Sequence, residues 1–255
     1  AGAAIATVIG NVVAALFYLC HLLSGKTLLS IRPKDYTAKD GIAAGVLAIG
    51  VPASLNSILM SASNIITNNI MSRFGDMTVA GLGVAMKVNM IVVMLLIGLG
   101  SGIQPLLGYC FGAGNRKRYT DVLKFSLCLA LGLSLIMTAV CYLGAGPLVY
   151  AFLDNPDASG YGIAFARIYI YSGPVMGLLF VFINAIQSTG AALPSLILSV
   201  SRQGLLYIPI LLTFCRLFDT APMLAAAQPA ADYLSTALAI ILFLYTYKKY
   251  FGRAQ

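Results

Sequence analysis

The chain has 255 residues, 60% of them hydrophobic and only 9% charged, with a mean hydropathy of +0.90 and a net charge of +8. Soluble domains carry about 25% charged residues, so an ordinary water-soluble fold is excluded. All eight acids are aspartates, and glutamate is absent. The Glu–Lys pairs that support exposed helices are therefore missing.

Seven apolar runs of bilayer-spanning length, about 20 residues or more, follow one another at roughly 3–24, 42–71, 79–112, 120–151, 161–188, 193–217 and 223–247. They do not alternate with a period of two, which excludes a barrel, and in hydrocarbon the remaining structure that satisfies its own backbone is the helix. The expected fold class is an all-α polytopic membrane protein with about seven transmembrane helices.

The first run, 3–24, has no basic residue before it and is not a signal peptide. Its abrupt start at Ala1 reads as a cut inside or just before a helix. The most charged connection follows, with Lys26, Arg32, Lys34 and Lys39. On the second run Ser57, Ser61, Asn64 and Asn68 recur at i, i+4, i+7 and i+11, one polar stripe that Asn56 and Thr67 widen. Such a stripe lines a cavity or hydrogen-bonds to another helix.

The third run contains Lys87 and the stretch GLGSGIQPLLGYCFGAGN at 98–115. Its glycines invite a nucleotide-loop reading. No Lys-Ser/Thr pair follows and no strand precedes, so neither phosphate fingerprint is met. Gly98, Gly100 and Gly102 instead suit close helix packing in lipid, and Pro105 suits a bend beside a cavity. Gln104 next to it, Asn184 and Gln187 on the fifth run and Gln228 on the seventh are further cavity candidates.

Two ionisable residues fall about 15 Å deep, Arg202 on the sixth run and Asp232 on the seventh, with Lys87 at comparable depth. A charge at mid-membrane requires a partner or a function. An ion pair or triad is expected, and binding of a coupling ion at Asp232 is the alternative.

Arg116, Lys117, Arg118 and Lys124, then Lys248, Lys249 and Arg253, fall on the same side as the first loop when seven spans are counted. The positive-inside rule makes that side, and the C-terminus, cytoplasmic. The basic residues neither cluster on one helix nor interleave with exposed aromatics, so no nucleic-acid partner is expected. The five cysteines lie scattered, without C-x-x-C or a His/Cys cluster, so no metal site is expected. A membrane enzyme would need a nucleophile–base pair or H-E-x-x-H ligands, and neither occurs.

Four stretches together, GIQPLLGYCFGAGNRKRY at 102–119, GAAIATVIGN at 2–11, RQGLLYIP at 202–209 and AQPAADYLS at 227–235, resemble the MATE family of multidrug and toxic compound extrusion transporters. The resemblance runs over essentially the whole chain. It implies two six-helix lobes, with 1–25 as the last helix of the first lobe, 26–41 as the cytoplasmic inter-lobe loop and 42–255 as the second lobe. It also implies export of cationic or amphipathic drugs across the plasma (cell inner) membrane in exchange for sodium ions or protons, without a cofactor. The partners implied are small-molecule drugs, the lipid bilayer and the first lobe of the same protein.

One departure from the family matters. No acid lies between Pro52 and Arg73 or between Ile168 and Gly190, where one branch of the family holds its coupling cation. The resemblance therefore points to the branch whose essential acid lies in the first helix of the first lobe. Related lipid or polysaccharide-precursor flippases share the two-lobe fold and remain the alternative. Their more cationic cavities contrast with the uncharged stripe here.

Overall fold

The computed structural model describes residues 2–23, 42–153, 155–218 and 220–251; the side chains of Ala3, Ala4, Thr7, Leu23, residues 42–53, Asn56, Ala192, Ser199 and Phe251 lie outside that description. So do the loop expected over 26–41 and Arg253. The chain divides into two units, Ala1–Ile49 and Gly50–Gln255.

In the first unit, α1 (Gly2–Leu23) is a single apolar helix. Within it Phe17 stacks on His21, the ring centroids 6.4 Å apart. The next helix, α2 (Ile42–Met71), enters the second unit at Gly50.

A short 3-10 turn and Gly75, at φ +102°, lead into α3 (Asp76–Gly112). Only glycine adopts that φ freely, and Asp76 in the first turn complements the positive helix end. At 37 residues α3 is about 55 Å long, more than the hydrocarbon core. It runs unbroken through Pro105 and ends where Gly114 takes φ +65°.

Asn115 then caps α4 (Arg116–Leu143), its side-chain oxygen accepting from the Arg118 amide at 3.0 Å. The basic residues expected to precede a span beginning near 120 thus form the first turn of the helix itself. The run expected to continue to 151 breaks at Gly144, followed by the short α5 (Ala145–Tyr150).

The fifth run is also broken. Asn155 caps and Pro156 opens α6 (Pro156–Ile170), and α7 (Gly173–Ser188) follows at a bend of 48°. Pro174 has no N–H to continue the ladder, so the helix stops before it. Across this bend Gly173 and Gly177 sit against Thr138 and Ser134 of α4, small residues on both helices allowing the backbones to close up.

The sixth run holds α8 (Ala192–Val200), a π-helical turn over Ser201–Leu206 and α9 (Tyr207–Leu217). The last run holds α10 (Ala221–Ala225) and α11 (Ala227–Phe251). All seven expected runs are helical. Among the described residues four elements are long and apolar enough to cross a membrane, the bent α6–α7 pair making a fifth; the apolar part of α1, Val8–Leu22, is shorter.

The second unit holds two cores. One gathers Met71, Leu82, Leu96, Phe165, Met176 and Leu224; the other gathers Leu107, Tyr119, Leu179, Ile186, Leu198 and Phe243. Outside them stand exposed Leu106, Phe125, Ile136, Leu143, Ile241 and Leu244, an apolar surface that suits lipid. Polarity is turned inward: buried Ser126, Thr236 and Thr246 donate to the carbonyl four residues back, which satisfies their hydroxyls inside the helix.

The beginning of α4 and the end of α11 meet. Arg116 Nε donates to the Tyr247 hydroxyl at 3.1 Å and its guanidinium lies over the Tyr247 ring. The basic residues 116–118 and 124 therefore share one end of the unit with Lys248 and Lys249.

Candidate functional site

The buried polar centre of the molecule begins with a proline. Pro209 cannot donate to the Leu205 carbonyl, and its ring crowds that oxygen, so the helix before it widens into the π-helical turn. Gly204 in that turn lets α2 approach: a Cβ there would lie 2.9 Å from the Leu59 methyls. One helical turn along α2, Ser63 Oγ donates to the Gln203 carbonyl at 2.6 Å. A further turn along, Thr67 Oγ1 meets the Tyr207 hydroxyl at 2.8 Å. Thr67 gives its proton to the Ser63 carbonyl at 2.7 Å, so Tyr207 is the donor of that pair.

Thr67→Val keeps the shape but leaves the buried Tyr207 hydroxyl unpaired. A stability loss of about 1–3 kcal/mol is expected in thermal denaturation. Ser61→Ala, on an exposed face, should change stability little.

The π-helical turn also aims Arg202 at α11. Its Nε donates to Asp232 Oδ1 at 3.2 Å, the carboxylate being 1% and the arginine 16% exposed. Gln228 Nε2, one turn earlier on α11, approaches the same oxygen at 3.4 Å. On its other side the guanidinium lies over the Phe180 ring, 5.5 Å from the centroid, a contact that strengthens when desolvated.

Asp232 Oδ2, the Tyr169 hydroxyl and Ser235 Oγ are fully buried without a hydrogen-bond partner among the described residues. Tyr169 and Tyr207 both lie within electrostatic reach of Asp232. Buried polar atoms are almost always satisfied. A carboxylate oxygen in that condition is a place for a proton or a small cation.

The expected site residues separate into three groups. Arg202, Asp232 and Gln228 come together as described. Lys87 does not join them: it is exposed, its Nζ over the Phe152 ring at 5.4 Å. Of the ion pair or triad expected, the described residues form the pair. Spacing along a helix says nothing of face, and the neighbours of Lys87, Val84 and Val88, take the buried side.

Ser57, Ser61 and Asn68 are exposed and Asn64 is half-buried, so the stripe on α2 faces outward, while Ser63 and Thr67 beside it make the tertiary hydrogen bonds. Gln104 is half-buried and Gln187 exposed. Asn184 lies inside the α3–α7 contact, its amide donating to the Phe180 carbonyl at 2.8 Å and pressed against Gly100.

Of the three glycines, only Gly100 packs closely. A Cβ on Gly98 or Gly102 would meet nothing within 4 Å, so the expected packing role holds at one position in three. Pro105 is exposed within a continuous helix.

Helices with apolar outer faces, broken at internal prolines and enclosing a charge pair, define a multi-pass membrane protein. The MatE family model matches residues 52–213, and the chain belongs to that family, whose members are transporters and not enzymes. It is 26% identical over 244 residues to the multidrug export protein MepA of Staphylococcus aureus (strain MSSA476), covering 95% of this chain and 53% of that protein. MepA of Staphylococcus saprophyticus is 23% identical over 243 residues, with the same coverage.

The chain thus spans about half the length of the curated relatives it matches. Among solved structures, a MATE transporter in complex with MaL6 superimposes with a TM-score of 0.82 at 21% identity, over 98% of this chain and 56% of the other. The Vibrio cholerae MATE transporter VcmN in its bent form gives 0.76 at 18% identity, over 89% and 51%. At these identities the structures share the fold.

Proposed function

We propose that the chain is the second half of a secondary active multidrug exporter, carrying cationic or amphipathic drugs out as sodium ions or protons enter. The observation that carries the reading is the match of 95% of this chain to about half of proteins named as multidrug exporters. On this reading residues 1–25 are the last helix of the first lobe, 26–41 the cytoplasmic link and 42–255 the second lobe.

The stripe of Ser57, Ser61, Asn64 and Asn68, with Asn56, Gln104 and Gln187, forms the uncharged polar wall of the drug cavity. Gly98 to Pro105 form its bendable flank. The shared basic end of α4 and α11 is cytoplasmic, which puts the C-terminus inside.

Asp232 is the ion-responsive group of this half. Its paired oxygen holds Arg202 and its unpaired oxygen accepts the coupling ion; occupation of the second weakens the first and frees the π-helical turn.

The full-length parent is reconstituted into vesicles, and efflux of a fluorescent lipophilic cation is followed with and without an imposed proton or sodium gradient. Dye movement driven by one of the gradients is the expected result. A parent that moves no cationic dye under either gradient would replace this reading by the flippase one.

A further inference from the structure

An open groove of about 560 Å³ lies between α3 and α4, away from the buried ion pair. Gly98, Gly102 and Leu106 of α3 face Asp121, Phe125 and Leu129 of α4 across it. Gly98 and Gly102 border open space, since a Cβ at either would touch nothing within 4 Å. Leu106, Phe125 and Leu129 are exposed apolar side chains. Ser126, also in the lining, donates its hydroxyl to the Val122 carbonyl at 2.7 Å, so the wall makes little polar demand.

The polar demand is concentrated at one end. Arg118, Asp121, Phe125 and Leu129 follow at helical spacings of three or four and share a face of α4. Arg118 and Asp121 therefore stand together at the basic mouth, and Leu129 lies about 12 Å further along the groove. Asp121 is exposed, and among the described residues its carboxylate forms no ion pair, although Lys117 and Lys124 stand one turn to either side.

We propose that this groove binds a phospholipid of the phosphatidylethanolamine class. One acyl chain lies over Gly98 and Gly102, between Leu106, Phe125 and Leu129. The primary ammonium of the head group donates to Asp121, and its phosphate is taken by Arg118, whose planar fork matches phosphate oxygens.

Charge complementarity selects this occupant over other lipids. The basic residues of the mouth attract any lipid phosphate, but phosphatidylglycerol brings no ammonium to donate to Asp121, and a quaternary ammonium has no N–H to donate. A small hydrophilic cation gains nothing from the apolar wall. The proposal rests on the membrane-embedded fold and not on drug export.

The test is native mass spectrometry of the full-length protein released from membranes containing equal amounts of phosphatidylethanolamine, phosphatidylcholine and phosphatidylglycerol. The parent should retain phosphatidylethanolamine roughly tenfold over the other two, the scale of one charge-assisted hydrogen bond. Asp121→Asn should abolish that preference, and Gly102→Leu, which fills the groove, should remove the retained lipid itself.

Both variants change positions facing open space, and an unaltered thermal transition confirms their folding. Equal retention of phosphatidylethanolamine and phosphatidylcholine by the parent overturns the proposal. So does preference for phosphatidylglycerol, a preference that survives Asp121→Asn, or full retention in Gly102→Leu. A groove covered by the other half of the protein or by a second copy would retain no lipid, which also overturns it.

Discussion

Arg202→Met is expected to destabilise the full-length protein by about 3–5 kcal/mol, the cost of leaving one member of a buried ion pair without its partner. The effect is large because Asp232 has little else: Gln228 reaches the same oxygen at 3.4 Å, and Oδ2 has no hydrogen-bond partner among the described residues. The reverse change, Asp232→Leu, should cost less, because Arg202 is 16% exposed and keeps the Phe180 face. The double variant Arg202→Met with Asp232→Leu should recover most of the loss, since apolar replacement of a whole buried pair is often neutral. Thermal denaturation of the four proteins gives the coupling directly. Additive losses would mean that the two side chains do not depend on each other.

The second large effect lies where α3 crosses α6. A Cβ on Gly81 would sit 2.8 Å from the Gly162 nitrogen, 2.9 Å from Tyr161 Cβ and 3.0 Å from the Ala158 carbonyl. Two of these are backbone atoms, which cannot swing aside as a side-chain tip can. Gly81→Ala should therefore push the helices apart at a cost of about 1–3 kcal/mol. Two residues further on, a Cβ on Gly83 meets nothing within 4 Å. Gly83→Ala should be neutral or stabilise by about 0.5–1 kcal/mol, through helix propensity alone. Equal effects at the two positions would contradict the close crossing.

Lipid made the helices legible in the sequence. A span in hydrocarbon must be long, apolar and helical, so the seven runs could be read without knowing what they pack against. Their interruptions were harder. The 48° bend before Pro174 and the π-helical turn before Pro209 lie inside unbroken apolar stretches, and apolarity does not report register. The two prolines were the available signals, and each marks the place where a carbonyl loses its donor.

Faces were the least legible. Two polar sets share α2 at helical spacing, with Thr67 at the edge of both, and the larger, Ser57 to Asn68, reads as a cavity lining. The smaller, Ser63 and Thr67, fastens the helix to the π-helical turn. In a soluble helix polarity marks the outside, but in lipid it marks contact or cavity alike, so the pattern alone did not rank them. Lys87 shows the same limit: it stands on the exposed side of α3, which position along the helix does not report. Arg202 and Asp232 were found because a charge at mid-membrane is costly wherever it points, and that argument needs no knowledge of face.

The role proposed for Asp232 is tested most directly by Asp232→Asn in the full-length protein, reconstituted at matched folded amounts beside the parent. Efflux of a fluorescent lipophilic cation is measured against imposed proton and sodium gradients, with dye binding measured at equilibrium. Loss of gradient-driven efflux with dye binding retained is the result expected if Asp232 receives the coupling ion. Efflux at the parental rate and with the parental dependence on the gradient would contradict it, leaving Arg202 and Asp232 as a structural pair.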